Sequence, residues 1–155
     1  MTRFKLVAMG GTFDMVHKGH LELLRGAFSI SDKVIIGLTS DELAKRRGKN
    51  PENDYSKRYK TLDDAIRKNF PNSQYVIARL DNDFGPAVLE KEVEALVVSD
   101  ETAPKGKVLN KLRAEKNSPP VEVIVIPLVL AKDGTRISTT RIKKSEIDSD
   151  GNILN

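Results

Sequence analysis

The chain has 155 residues and no cysteine; 26 Lys and Arg set against 22 Asp and Glu leave a formal net charge of +4. With 39% hydrophobic and 31% charged residues it has the material for one domain around a packed core, which excludes a disordered chain. The missing cysteines exclude disulfides, thiolate metal sites and a cysteine nucleophile, and the basic surplus, interleaved with acids, suits an anionic small ligand better than nucleic acid.

Met1-Thr2-Arg3-Phe4-Lys5 leads into a short apolar run, Phe4–Met9, that stops at Gly10-Gly11. A signal peptide needs a longer apolar stretch, and no run reaches the ~18 apolar residues of a membrane span, so a cytoplasmic protein without a membrane partner is expected. Phe4–Met9 reads instead as the first strand. Lys18–Ser29 follows as a helix, with Leu21, Leu24, Ala27 and Phe28 at helical spacing. Lys33–Leu38 is the second strand. Tyr55–Asn69 is the next helix, with Tyr59, Leu62, Ala65 and Ile66 on one stripe and Pro71 beyond its end. Gln74–Arg79 and Ala95–Ser99 read as strands. Pro104–Asn117 carries Val108, Leu109 and Leu112 at helical spacing and is stopped by Ser118-Pro119-Pro120. Val121–Pro127 is the fifth strand. The polar tail Glu146–Asn155 reads as a short strand, an ordered flap or a frayed end.

Several strands are continuously apolar rather than alternating, as in Val34-Ile35-Ile36-Gly37-Leu38 and Ala95-Leu96-Val97-Val98. That is the pattern of strands buried on both faces of a parallel sheet. The element order predicts one Rossmann-like, doubly wound α/β domain over residues 1–155, with five parallel strands. Such sheets bind ligands at the carboxyl ends of their strands. The site should therefore be assembled from Gly10–His20, Thr39–Asp54, Leu80–Ala87, Ser99–Lys107 and Leu128–Thr140.

Gly10-Gly11-Thr12-Phe13-Asp14-Met15-Val16-His17-Lys18-Gly19-His20 follows the first strand and opens the first helix. His17 and His20, the only two histidines, are three residues apart and share a face of the first turn. Gly19 between them removes a side chain where a phosphate would approach. The N–H groups and dipole of a helix start favour an anion by roughly 0.3–1 kcal/mol at an exposed site. Two imidazoles add donors that can follow charge building on a phosphoryl group. The bland alternative is a pair of ordinary histidines near a helix start. A metal site would lack a third His or Cys and would need carboxylates to complete it. A second constellation, Arg136-Ile137-Ser138-Thr139-Thr140-Arg141-Ile142, follows the last strand. Its hydroxyls can cap helix N–H groups and meet phosphate, and Arg141 can bond β- and γ-oxygens.

The first segment resembles the G-T-F-D-x-x-H-x-G-H signature of the HxGH nucleotidyltransferase superfamily, and Ile137–Thr140 resembles its I-S-[ST]-[ST] turn. The resemblance implies attack of a nucleophile on the α-phosphate of a nucleoside triphosphate, with pyrophosphate leaving. It implies that Gly10, Gly11, Thr12, Phe13, His17, Gly19 and His20 contact the nucleotide, with Ser138, Thr139, Thr140 and Arg141 on its outer phosphates. Leu80–Pro86, Val97–Thr102, Leu109-Asn110 with Arg113, and the closing Glu146–Asn152 look like the archaeal and eukaryotic type of phosphopantetheine adenylyltransferase. That family transfers adenylyl from MgATP to 4′-phosphopantetheine. By the resemblance Thr12 helps hold the acceptor phosphate, and a lysine of the Lys45-Arg46-Arg47-Gly48-Lys49 loop reaches phosphate. Lys49 is favoured and Lys45 is the reserve. Arg79, at the end of the third strand, is a further phosphate candidate. Ser99 is assigned to the nucleotide side. The place where the bacterial type carries arginines reads Val98-Ser99-Asp100-Glu101-Thr102 here, so those contacts are not carried over.

No general base is needed if the acceptor phosphate is already ionised, and Asp14, beside two phosphates, reads as structural. Mg²⁺ is expected with ATP, held by the triphosphate and water rather than by a protein cage. A monomer is expected. Two other functions remain open at this point: a cytidylyltransferase acting on a small phosphorylated alcohol, and a non-catalytic module that binds nucleotide or RNA. Pyrophosphate release with ATP against CTP separates the first, and absence of turnover beside tight RNA binding separates the second.

Overall fold

The Val- and Ile-rich runs form one parallel sheet in the order β3-β2-β1-β4-β5. Its strands are β1 (Phe4–Gly11), β2 (Ser31–Thr39), β3 (Tyr75–Leu80), β4 (Ala95–Ser99) and β5 (Glu122–Ile126). The structure is a computed structural model and describes residues 3–82, 84–85, 91–99 and 102–126. β1 is central. It pairs with β2 from Phe4↔Ser31 to Gly11↔Leu38, and with β4 through Val7↔Ala95 and Ala8↔Leu96. The expectation of strands buried on both faces holds for β1, β2 and β4. β3 and β5 are the sheet edges and leave Val76 and Val125 exposed.

Helices cover both faces: α1 (Lys18–Ile30), α2 (Asp41–Arg46), α3 (Tyr55–Asn69) and α4 (Lys105–Glu115). Leu24 and Ala27 of α1 and Leu62 and Ile66 of α3 pack on Val7, Met9, Val34, Ile36, Leu38, Ala95 and Val97. On the other face Leu109 of α4 packs with Ala8, Leu96 and Val98. This is the expected doubly wound α/β arrangement. Part of the crossover from β3 to β4, residues 83 and 86–90, lies outside the described residues.

Three details differ from the periodicity. Thr39–Asp54, where the periodicity marks no helix, contains α2. Its six residues are too few to show a periodic stripe, yet Ser40 Oγ accepts the Leu43 N–H at 3.1 Å. Acidic Asp41 and Glu42 open α2 and basic Lys45 and Arg46 close it, as the helix dipole favours. On α3, Tyr59 is exposed and the inward row is Arg58, Leu62 and Ile66, four residues apart. On α4, Val108 is exposed while Arg113 is buried beside the Leu109 row. In both helices a buried arginine takes a place that hydrophobicity alone assigns to an apolar residue.

Candidate active site

The strand order reverses between β1 and β4, and the crevice at that point is where an open parallel sheet takes its ligand. Three residues beyond the Ala8↔Leu96 pair, Gly11 and Ser99 end their strands on its two sides.

His17 is the N-cap of α1, with an extended backbone at φ −123° and ψ 177°. Its Nδ1 accepts the Gly19 N–H at 3.1 Å, and its own backbone N–H donates to His20 Nδ1 at 3.2 Å. Two histidines thus play the reciprocal parts that Ser and Glu play in a capping box. Their rings stack with centroids 3.8 Å apart and planes 23° apart. Because each Nδ1 accepts a backbone N–H, the hydrogen-bond pattern assigns the proton of each neutral ring to Nε2. The helix start therefore holds two Nε2–H donors in one packed pair.

The surrounding residues fix this pair. A Cβ on Gly19 would lie 2.9 Å from His17 Cε1, so the glycine makes room for the imidazole itself. Phe13 has a positive φ of 49°, uncommon for a bulky residue, and its ring lies 4.8 Å from that of His20. Gly11 leaves the space for it: a Cβ there would be 2.9 Å from the Phe13 ring. Phe13 is only 2% exposed and reaches the site through His20.

Asp14 is a clamp, in keeping with its structural reading. Its Oδ2 accepts from Glu52 N at 2.9 Å and its Oδ1 from Asn53 N at 3.0 Å, and the Asn53 amide donates to both Oδ1 and the Asp14 carbonyl at 3.1 Å. The loop that carries Lys49 is thereby tied to the turn after β1. Lys49 is exposed on this loop, and its backbone N–H is fixed to Ala44 O at 2.9 Å. Thr39 Oγ1 donates to Gly11 O at 3.1 Å, which joins the ends of β1 and β2. Ser99 N donates to Thr102 Oγ1 at 3.0 Å and Thr102 N to Ser99 O at 3.1 Å, a hydroxyl turn at the end of β4.

Arg79 is exposed at the end of β3, with its guanidinium 5.9 Å from the Tyr55 ring. Its guanidinium bonds Asp81 at 3.0 Å and Glu42 at 3.3 Å, both exposed pairs. Asn110 and Arg113, which helped carry the resemblance, serve the fold. Asn110 exchanges two hydrogen bonds with the Val121 backbone, and Arg113 Nε donates to Pro119 O at 2.7 Å. Ser138, Thr139, Thr140 and Arg141 lie outside the described residues. Among the described residues no group of three or more His, Cys, Asp or Glu could hold a metal ion, and no helix is long and apolar enough to cross a membrane.

Sequence reasoning missed Arg58. It is fully buried and bonds Thr12, Thr39, Asn53 and Asp41. The signal was its spacing four residues before Leu62 and eight before Ile66. Its guanidinium, donating to Asp41, holds that carboxyl below its ordinary range.

Comparison with known proteins gives a consistent result. A family model described as cytidylyltransferase-like matches residues 8–145. A phosphopantetheine adenylyltransferase of Methanothermobacter thermautotrophicus is 41% identical over 152 residues, covering 98% of this chain and 91% of that protein. One from Pyrococcus horikoshii is 40% identical over 154 residues, covering 98% and 96%. A solved structure of a protein of unknown function from Archaeoglobus fulgidus superposes with a TM-score of 0.68 at 26% identity, over 79% of this chain and 89% of that one.

Proposed function

The chain belongs to the cytidylyltransferase-like family and, within it, to the phosphopantetheine adenylyltransferases, and from that membership we infer that it transfers adenylyl from ATP to 4′-phosphopantetheine. An oxygen of the acceptor 4′-phosphate attacks the α-phosphorus. The bond from that phosphorus to the bridging β-oxygen breaks, and pyrophosphate leaves with the electron pair. The products are dephospho-coenzyme A and pyrophosphate, a step of coenzyme A biosynthesis.

The observation that carries the mechanism is the stacked, reciprocally capped His17–His20 pair at the switch point of the sheet. Its Nε2–H groups donate to the α-phosphate as charge accumulates there, and the packing of Phe13 and the clearance at Gly19 set their positions. Gly10, Gly11 and Gly19 meet the nucleotide through their backbone, Gly11 and Gly19 by making room for the Phe13 and His17 rings that shape the turn, and Ser99 faces it from the end of β4. Thr12 and Lys49 align the acceptor phosphate. The tie from Asp14 to Glu52 and Asn53, which keeps the Lys49 loop against the Thr12 turn, supports this division. Arg79 assists on the acceptor side only by giving up its carboxylate partners. Ser138, Thr139, Thr140 and Arg141 complete the grip on the outer phosphates. ATP arrives as its Mg²⁺ complex, with the ion held by phosphate and water. The enzyme acts as a monomer in the cytoplasm.

The test is pyrophosphate release with 4′-phosphopantetheine and, in turn, ATP, CTP and GTP. The proposal expects turnover with ATP and dephospho-coenzyme A as the product. Preference for CTP would replace it with the cytidylyltransferase reading. No turnover with any triphosphate, together with tight RNA binding, would favour the binding-module reading.

A further inference from the structure

Arg58 leaves no side-chain surface to solvent. Its Nε donates to Asn53 O at 3.0 Å, Nη1 to Thr12 O and Thr39 O at 2.8 Å each, and Nη2 to Asp41 Oδ1 at 2.7 Å. These bonds join four segments: the turn after β1, the end of β2, the start of α2 and the loop before α3. Three of the four acceptors are main-chain carbonyls, so the guanidinium fixes backbone paths rather than side chains. Packing alone does not call for a cation here. Burying one is costly unless every donor is matched, and an apolar residue would simply extend the Leu62–Ile66 row.

The segments that Arg58 joins are not a random set. Thr12 and the loop leading from Lys49 to Asn53 are the acceptor side of the proposed reaction. Asp14 grips that loop through the Glu52 and Asn53 N–H groups, and Arg58 grips it through the Asn53 carbonyl. Asn53 is thus held from both directions. The histidine pair, by contrast, is positioned by its cap bonds and the packing of Phe13, and the Arg58 donors go instead to Asn53, Thr12, Thr39 and Asp41. Resting on the adenylyltransferase reading, we propose that Arg58 is a positioning residue for the acceptor phosphate: it holds the Thr12 turn and the Lys49 loop in one register without touching substrate.

Lysine at this position keeps the charge but offers three donors from a single point, too few to span four acceptors. Arg58→Lys is therefore the informative variant. It should unfold cooperatively and keep its KM for ATP within about 2-fold. KM for 4′-phosphopantetheine should rise about 10-fold or more, as expected for a displaced positioning element. Amide exchange should quicken about 10-fold at Thr12–Asp14 and Glu52–Asp54 and stay unchanged in β4 and α4. Asp41→Asn, which keeps an oxygen acceptor and loses the charge, is the milder second variant if Arg58→Lys does not fold. It should move the same quantities in the same direction by about 3-fold. Equal changes in both KM values, or unchanged exchange in the two segments, would overturn the proposal. If the wild-type protein turns over no 4′-phosphopantetheine, the substrate reading falls, and the exchange pattern decides the role of Arg58 by itself.

Discussion

Replacing Gly19 with alanine would put a methyl group 2.9 Å from Cε1 and 3.1 Å from Nδ1 of His17. Ordinary contact begins at 3.4 Å, so the ring has to retreat by about 0.5 Å (3.4 less 2.9). Its movement is coupled to that of His20, on which the ring is stacked at 3.8 Å. The retreat also stretches the 3.1 Å bond from Gly19 N to His17 Nδ1. Stability should change little. Gly19 is not at positive φ, so alanine gains roughly 0.4–1 kcal/mol by restricting the unfolded chain. A weakened cap loses about the same. Activity should change much more. A ~1 Å misplacement of catalytic groups costs about 10²-fold, so half that displacement of both imidazole donors should lower kcat by roughly 10- to 100-fold. The measurement is pyrophosphate release at saturating ATP and 4′-phosphopantetheine, with Tm from calorimetry on the same preparation. Turnover within about 3-fold of wild type at unchanged Tm would refute the claim that this glycine exists to seat the histidine pair.

His20→Ala removes one donor to the α-phosphate and one half of the reciprocal cap, and should lower kcat by at least ~10²-fold while the fold persists by circular dichroism. Asp14→Ala strips the acceptors from Glu52 N and Asn53 N and should cost roughly 2–3 kcal/mol in denaturant unfolding, with KM for 4′-phosphopantetheine raised more than KM for ATP; equal stability would contradict the clamp. Lys49→Ala should raise KM for 4′-phosphopantetheine by about 10-fold or more, and Lys45→Ala should not; the reverse result would move the phosphate contact to Lys45. The hydrogen bond from Arg58 holds Asp41 below its ordinary value of 3.8. A carboxyl with a depressed folded-state pKa contributes stability above its unfolded value and loses it as pH falls through the folded one. Wild type should thus exceed Asp41→Asn in Tm by a small margin at pH 6, small because Asp41 is half-exposed. That margin should close as pH drops below 3.8, and a constant margin would contradict the pairing.

The strands and long helices were legible because each follows from one repeated physical preference. Ala95–Ser99 and Tyr55–Asn69 match to the residue, and the others differ by a residue or two at their ends. The turn after β1 was legible for a different reason. Two glycines, two histidines and a helix start have little else to do in combination. What escaped was whatever depends on hydrogen bonding across distant segments. α2 is too short to show a period. Arg58 and Arg113 break the hydrophobic rule because their donors find carbonyls that only the folded chain brings near. Arg79 looked available at a strand end; of its two carboxylate partners Asp81 is only two residues away, but Glu42 is brought to it by the fold. The role of Gly19 was read as room for phosphate, and the nearest atoms are those of His17. Local pattern reports burial, whereas pairing partners of charged groups are a tertiary fact.

The central claim is that the capped imidazole pair meets the α-phosphate of ATP. A crystal structure of the protein with a non-hydrolysable ATP analogue tests it directly. The account predicts Nε2 of both His17 and His20 within about 2.7–3.2 Å of α-phosphate oxygens. An α-phosphate bound elsewhere, with both rings turned to other partners, would contradict it.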